Sequence, residues 1–181
     1  MKQATQDLRN EHEAILFVLK IMRKMAESDV YEDAAMLRWY GEIVDFLRIF
    51  GDRCHHGKEE LFLFPELEKK GVQRENGPVG VMLSEHTQAR GLIAGMAEAV
   101  EQKDRKAFEE NALPYAELME AHIDKENNIL FGFADRLFSG AEQVGLFESF
   151  ERHEEQVVGS GVHEQLHAKI HAWAEAFHVT H

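Results

Sequence analysis

The sequence predicts an all-α fold: an antiparallel up-down four-helix bundle followed by two additional C-terminal helices. Alanine, leucine, glutamate and lysine are plentiful, and only three prolines occur in 181 residues. Strand-like alternation is nearly absent, whereas apolar residues recur at spacings of three and four over long segments. With no evident linker, we expect one domain, in which residues 1–140 form the bundle and residues 141–181 pack on it.

Composition also limits the partners and the compartment. The formal net charge of −13 disfavours nucleic acids and anionic membranes, which would repel the chain. Cys54 is the only cysteine, so an internal disulfide is impossible and a reducing compartment is expected. The first residues are charged throughout, unlike a signal peptide, and the early apolar run at 14–19 is too short to cross a bilayer. We therefore expect a cytoplasmic protein.

The first helix is predicted over residues 4–27. One apolar stripe runs along it and includes His12, together with Leu8, Ile15, Leu16, Leu19 and Met22. Taken alone, a histidine in such a stripe is more often a satisfied core residue than a metal ligand. A turn at 28–33 leads into the second helix, which is expected to reach about residue 64, where Pro65 should end or kink it.

An internal repeat links the second helix to the fourth. The stretch HHGKEELFLFP at 55–65 aligns without a gap with HIDKENNILFG at 122–132. Each copy holds a histidine and a glutamate four residues apart, which places both on one helix face. Periodicity alone leaves two registers open for the first copy, His55 with Glu59 or His56 with Glu60. The repeat favours His55 with Glu59, because only that register superposes the lysine and the Leu-Phe pair.

The third helix is predicted to open at Pro78, which suits a first turn, and it carries His86 in its buried stripe. The residue four positions later is Arg90, so this helix offers one imidazole. The fourth helix should begin between residues 104 and 112 and end near 138, with Pro114 tolerated only in the first turn or at a kink. Its inward stripe is expected to be Tyr115, Met119, His122, Glu126, Ile129, Phe133 and Leu137.

Two shorter helices are predicted at about 141–158 and 162–178. The last carries His163, His167 and His171 at intervals of four, a spacing that could indicate another metal site. A polar flank beside the apolar stripe of Leu166, Ile170, Trp173 and Phe177 is the favoured interpretation. A ladder on a single helix face rarely surrounds one ion.

The mid-helix histidines and glutamates together predict a metal centre. Two buried carboxylates without partners would be costly and would take up protons, and bound cations remove that cost. Opposed helix faces would bring imidazoles and carboxylates to one point, the mixture that a non-haem iron pair favours. The expected ligands are His12, His55, Glu59, His86, His122 and Glu126. Open positions on such ions would bind dioxygen, peroxide or nitric oxide in a pocket kept apolar by Phe62, Ile129 and Phe133.

At these residues the chain resembles the hemerythrin HHE cation-binding family. The matching stretches are NEHEAI, CHHGKEELFLFP, SEHTQARGL and HIDKENNILF. The resemblance implies two non-haem iron ions, bridged by carboxylates and by an oxo or hydroxo group, at the six positions named. Zinc or manganese could occupy the same ligands. The chain departs from oxygen-carrying hemerythrins, which have a histidine where Arg90 stands, and its pattern looks closer to bacterial repair-of-iron-centres proteins.

The function expected from this resemblance is binding, sensing or reduction of a small oxidant at the iron pair. Two alternatives belong to other classes. The first is an iron-donating partner in the repair of damaged iron–sulfur centres. The second is a helical bundle in which the metal only supports the fold. The sequence identifies no catalytic side chain.

Overall fold

The computed structural model describes residues 3–159 and 162–180, and all regular structure in this part of the chain is helical. The predicted all-α class is thus confirmed. Six continuous helices follow one another: α1 (Ala4–Ala26), α2 (residues 33–69), α3 (Pro78–Glu101), α4 (residues 105–137), α5 (Gly140–Val157) and α6 (Val162–Ala176). Within the part of the chain that the structure describes, none of the helices combines the length and the apolar character needed to cross a membrane.

Helices α2 and α4 contain π-helical segments beside the predicted ligands. In α2 these are Leu47–His56 and Glu59–Leu63, and in α4 the segment is Glu126–Leu130. Each π turn takes in an extra residue, which rotates everything beyond it relative to a regular helix. The predicted stripe of α4 is therefore wrong after Glu126. Ile129 is 52% exposed, and the buried residues are Leu130, Phe131 and Ala134.

Both prolines that were expected to limit helices lie within longer ones. Helix α2 continues past Pro65, which stands in the first turn of the closing segment Phe64–Lys69, where its missing N–H is tolerated. Helix α4 begins early because the Asp104 side chain accepts a hydrogen bond of 2.9 Å from the Ala107 amide. Pro114 consequently lies in the helix interior rather than in its first turn.

The core consists of two apolar clusters separated by a polar layer. One cluster takes the beginnings of α1 and α3 and the ends of α2 and α4, and it includes Leu8, Leu63, Met82 and Leu130. The larger cluster contains apolar residues from the other halves of the same helices. The layer between them is formed by the mid-helix histidines and glutamates, all of them buried. The polar groups of four helices are thus enclosed by apolar packing at both ends.

Helices α5 and α6 cover one side of these four. Helix α5 packs on α1 and α2, and α6 contacts α1. The predicted stripe of Leu166, Ile170, Trp173 and Phe177 is buried, with the Trp173 indole N–H donating to Glu42 at 2.8 Å. Beside it, His167 and His171 are exposed, as the polar-flank interpretation requires. The side chain of His163 lies outside the described residues.

Candidate metal centre

The polar layer brings all six predicted site residues together. His12, His55, Glu59, His86, His122 and Glu126 each have a relative exposure of 0%. A seventh side chain, His56, joins them and is 1% exposed. Sequence reasoning treated His55 and His56 as alternatives, because a regular helix turns adjacent residues about 100° apart. The π-helical segment that ends at His56 lets both rings face inward.

The imidazoles meet in pairs through their Nε2 atoms. Nε2 of His12 lies 2.9 Å from Nε2 of His55, and Nε2 of His86 lies 3.1 Å from Nε2 of His122. The His56 ring stacks on the His86 ring with centroids 3.8 Å apart. The nitrogen atoms able to bind metal therefore converge from helices α1 to α4.

The two glutamates span both histidine pairs. Glu59 places Oε1 3.6 Å from Nε2 of His55 and Oε2 3.4 Å from Nε2 of His86. Glu126 places Oε2 3.2 Å from Nε2 of both His12 and His122. Each carboxylate thus contacts one imidazole of each pair, as a bridging ligand between two ions would.

The ligand atoms fall into two overlapping groups, in each of which all atoms lie within 4.8 Å of one another. We call the first the nitrogen-rich position; it consists of His56, His86, His122 and Glu59. We call the second the oxygen-rich position; it consists of His12, His55, Glu59 and Glu126. Glu59 belongs to both, so the two positions are adjacent.

Several polar atoms of this layer have no hydrogen-bond partner among the described residues. They are Nε2 of His56 and all four carboxylate oxygens of Glu59 and Glu126. Buried polar atoms are normally satisfied, and a buried carboxylate without a partner is costly. Imidazole nitrogen and carboxylate oxygen are ligands for divalent transition metals. The residues present therefore fit a pair of metal ions.

The other nitrogen of each ring is held by a residue behind it, which orients Nε2 inward. Nδ1 of His12 contacts Asn127 at 2.8 Å, and the four remaining rings contact carboxylates. These contacts are His55 with Glu11 (2.8 Å), His56 with Asp52 (3.3 Å), His86 with Glu60 (2.7 Å) and His122 with Glu85 (2.8 Å). Carboxylates behind imidazoles fix the tautomer and raise the basicity of a metal ligand.

Cationic side chains hold these outer carboxylates in turn. The Lys58 ammonium donates to Glu11 at 2.6 Å and also to Asp7 and Glu154, although the lysine is only 1% exposed. Lys125 donates to Glu85. The Arg90 guanidinium donates to Asp52 at 2.7 Å and to Glu60 at 2.8 Å. Arg90, which the sequence marked only as a missing histidine, therefore supports two of the inward rings.

The pKa values of the buried glutamates and histidines are shifted by this arrangement. Burial and the neighbouring Glu126 charge raise the pKa of Glu59 well above its ordinary value. Burial would raise the pKa of Glu126 too, but the charge of His122 and the close Nε2 contacts of His122 and His12 hold it well below its ordinary value. Burial also lowers the pKa of His55 and His56 well below the usual range. Those two rings are therefore neutral, the form in which imidazole binds metal.

The apolar residues around the centre differ from the predicted ones. Phe131 stacks on His12 with centroids 5.3 Å apart, and Phe64 stacks on His86 at 5.8 Å. The predicted Ile129 is exposed, Phe133 is only partly buried, and Phe62 lies against Phe150 and His153 of α5. The prediction assumed a regular helical period beyond the glutamates, and the π segments shift that register.

Comparison with known proteins agrees with this geometry. The model of the family described as the hemerythrin HHE cation binding domain matches residues 3–134, which include every histidine and glutamate of the inward-facing polar layer. Uncharacterized proteins of Mycobacterium bovis and of two Mycobacterium tuberculosis strains are each 24% identical to the chain over 173 residues. The aligned regions cover 92% of this chain and 67% of each relative.

Proposed function

The chain belongs to the hemerythrin HHE cation-binding domain family, and from this membership we propose that it holds two iron ions and binds or reduces a small oxidant. The observation that carries the proposal is the convergence of five imidazole Nε2 atoms on two glutamates whose oxygens have no partner among the described residues. Glu59 belongs to both ligand groups, so it would bridge the two ions. This mixture of nitrogen and oxygen donors suits iron.

The proposed site also fits an antiparallel arrangement of α1 to α4. The beginnings of α1 and α3 share an apolar cluster with the ends of α2 and α4. Consecutive helices would then run in opposite directions, as in an up-down bundle, and each would present its ligands at the same height. Helices α5 and α6 would belong to the same domain, because Lys58 of α2 binds Glu154 of α5 at 2.8 Å.

An iron pair would supply open coordination positions and electrons for dioxygen, peroxide or nitric oxide. The protein's own part is to hold the ligands and to exclude bulk water. Each inward-facing ligand is at most 1% exposed, and the Phe64 and Phe131 rings stack on two of the imidazoles. A buried centre of this kind favours very small ligands. We place this activity in the cytoplasm, on the basis of the acidic charge and the single cysteine.

Anaerobic reconstitution with ferrous iron tests the proposal. We expect two iron ions per chain and a change in the visible spectrum when dioxygen, nitric oxide or peroxide is added. Zinc-loaded protein is the matched control, because zinc would occupy the same ligands without redox chemistry. A persistent oxygen adduct would favour sensing or carriage, and catalytic loss of peroxide would favour reduction.

Two outcomes would contradict the proposal. If iron bound at two per chain but the spectrum did not respond to any of the three ligands, the metal would have a structural role. If iron instead moved to a damaged iron–sulfur protein, the chain would be an iron donor. Glu126→Ala should lose iron and spectral response together, because Glu126 contacts imidazoles of both ligand groups.

A further inference from the structure

The two halves of the site are built alike. In the first half, Lys58 binds Glu11, and Glu11 binds the Nδ1 atom of His55. In the second half, Lys125 binds Glu85, and Glu85 binds the Nδ1 atom of His122. His12 corresponds to His86, Glu59 to Glu126, and Phe131 on His12 to Phe64 on His86. The centre therefore has an approximate two-fold symmetry that follows the sequence repeat.

Three side chains in contact with one another break this symmetry. His56 faces the centre, Asp52 contacts its Nδ1 atom, and Arg90 holds Asp52. The counterparts in the other half are all apolar: Ile123 for His56, Met119 for Asp52 and Leu16 for Arg90. The extra imidazole is thus supplied by the first copy of the repeat only, and it joins His86 and His122.

A second difference lies behind the rings. His86 contacts the Glu60 carboxylate through Nδ1, whereas the corresponding ring, His12, contacts the neutral Asn127 amide. Glu60 and Asn127 occupy equivalent places in the repeat. A carboxylate partner makes an imidazole a stronger donor than an amide partner does. The nitrogen-rich position should therefore bind a metal ion more tightly, because it has more imidazoles and because they are stronger donors.

We propose that the two positions bind metal unequally, so that the nitrogen-rich position retains its ion and the oxygen-rich position exchanges. This inference rests on the proposed metal pair. Three imidazoles would hold the retained ion and two would hold the exchangeable one, whereas each glutamate contacts imidazoles of both groups and so does not favour either position. Each added imidazole strengthens binding of a divalent transition metal, and one of the two rings at the weaker position lacks a carboxylate behind it.

Titration of the metal-free protein with Co²⁺ tests the inequality, because cobalt absorption bands report the ligands around each ion. We expect two steps with dissociation constants that differ by at least about tenfold. A chelator added to the loaded protein should remove one ion quickly and the other slowly. The readout is metal stoichiometry and spectrum, so it needs no assumption about oxidant chemistry.

Variants that restore symmetry are the sharpest controls. His56→Ile replaces the extra imidazole with the residue that occupies the equivalent place in the second copy of the repeat. It should weaken the tighter Co²⁺-binding step until the two binding steps merge. Ile123→His supplies the missing imidazole to the oxygen-rich position and should strengthen the second step. If His56→Ile fails to fold, Arg90→Leu at a partly exposed position releases Asp52 and should narrow the difference between the steps.

The outcomes separate this inference from the proposed function. Two Co²⁺ ions bound with equal affinity and equal exchange rates would overturn the inequality while leaving the metal pair in place. A His56→Ile or Arg90→Leu variant that folds and keeps both wild-type steps would also overturn it. Failure of the wild-type protein to bind two ions would contradict the proposed function itself.

Discussion

Replacing Glu59 with glutamine should have opposite effects on the metal-free and metal-loaded protein. Glu59 is fully buried beside Glu126, and neither of its oxygens has a partner among the described residues. Glutamine keeps the size of the side chain and removes its charge. The substitution should therefore stabilise the metal-free fold and weaken the binding of both ions.

The expected magnitude follows from the burial of the carboxylate. An uncompensated charge in a protein interior costs about 3–5 kcal/mol, whereas an amide with unmet hydrogen bonds costs about 1–3 kcal/mol. The metal-free variant should thus gain about 2 kcal/mol, which corresponds to a Tm rise of about 4–8 °C in a chain of this size. In the wild type, an ion present at about a hundred times its Kd contributes about 2.7 kcal/mol, most of which the variant should lose.

The assay is thermal unfolding with and without a chelator, repeated over a range of pH. Burial and the charge of Glu126 raise the pKa of Glu59 above its ordinary 4.5. A carboxyl with a raised pKa contributes its full stability below about pH 4.5 and loses that stability as pH rises through the raised value. The advantage of the metal-free variant should therefore shrink as the pH falls towards 4.5.

Glu60→Gln is the matched control, since Glu60 is partly exposed and is held by Arg90. It should destabilise the metal-free protein by about 1–3 kcal/mol, because Glu60 also contacts the buried His86, and lower metal affinity by about 10–100-fold through that ring. A Glu59→Gln variant less stable than wild type in chelator would refute the account of an uncompensated buried carboxylate. A greater loss of metal in Glu60→Gln than in Glu59→Gln would show that the ligand register is wrong.

Further predictions concern the surroundings of the centre. Lys58→Met should cost about 3–5 kcal/mol in denaturant unfolding because it leaves the buried Glu11 without its cation, while the partly exposed Lys125→Met should cost less than about 1 kcal/mol; equal losses would contradict this. Bound metal should be released as pH falls through the histidine range, since protons compete for the rings; two ions retained after dialysis at about pH 4 would exclude this ligand set. Burial raises the pKa of Cys54 to about 12, so iodoacetamide should modify it only after unfolding, as mass spectrometry can show.

Much of the fold could be predicted because helix signals are local. The first helix was expected over residues 4–27 and spans Ala4–Ala26, and Pro78 opens α3 as expected. The family resemblance is confirmed by the match over residues 3–134. The six expected site residues converge because each combines a mid-helix place with an apolar neighbourhood. Their role as iron ligands stays a prediction.

The missed features depend on contacts that the sequence pattern does not encode. His56 with Glu60 was the alternative register that the repeat disfavoured, and a regular helix does not direct both neighbouring rings inward; the π-helical segment does. The doubled histidine, with Asp52 one turn earlier, was the available signal. Pairing of Arg90 with Asp52 joins two helices that are distant in sequence, so it emerges only in the folded structure.

The π turns have a practical consequence for comparing this chain with its relatives. Each extra residue rotates the rest of a helix by about 100°. A relative whose helix lacks the turn can match both His122 with Glu126 and the buried residues beyond them only if an alignment opens a one-residue gap inside the helix. Deleting a single residue within Glu126–Leu130 should likewise turn Phe131 away from His12 while leaving the composition almost untouched.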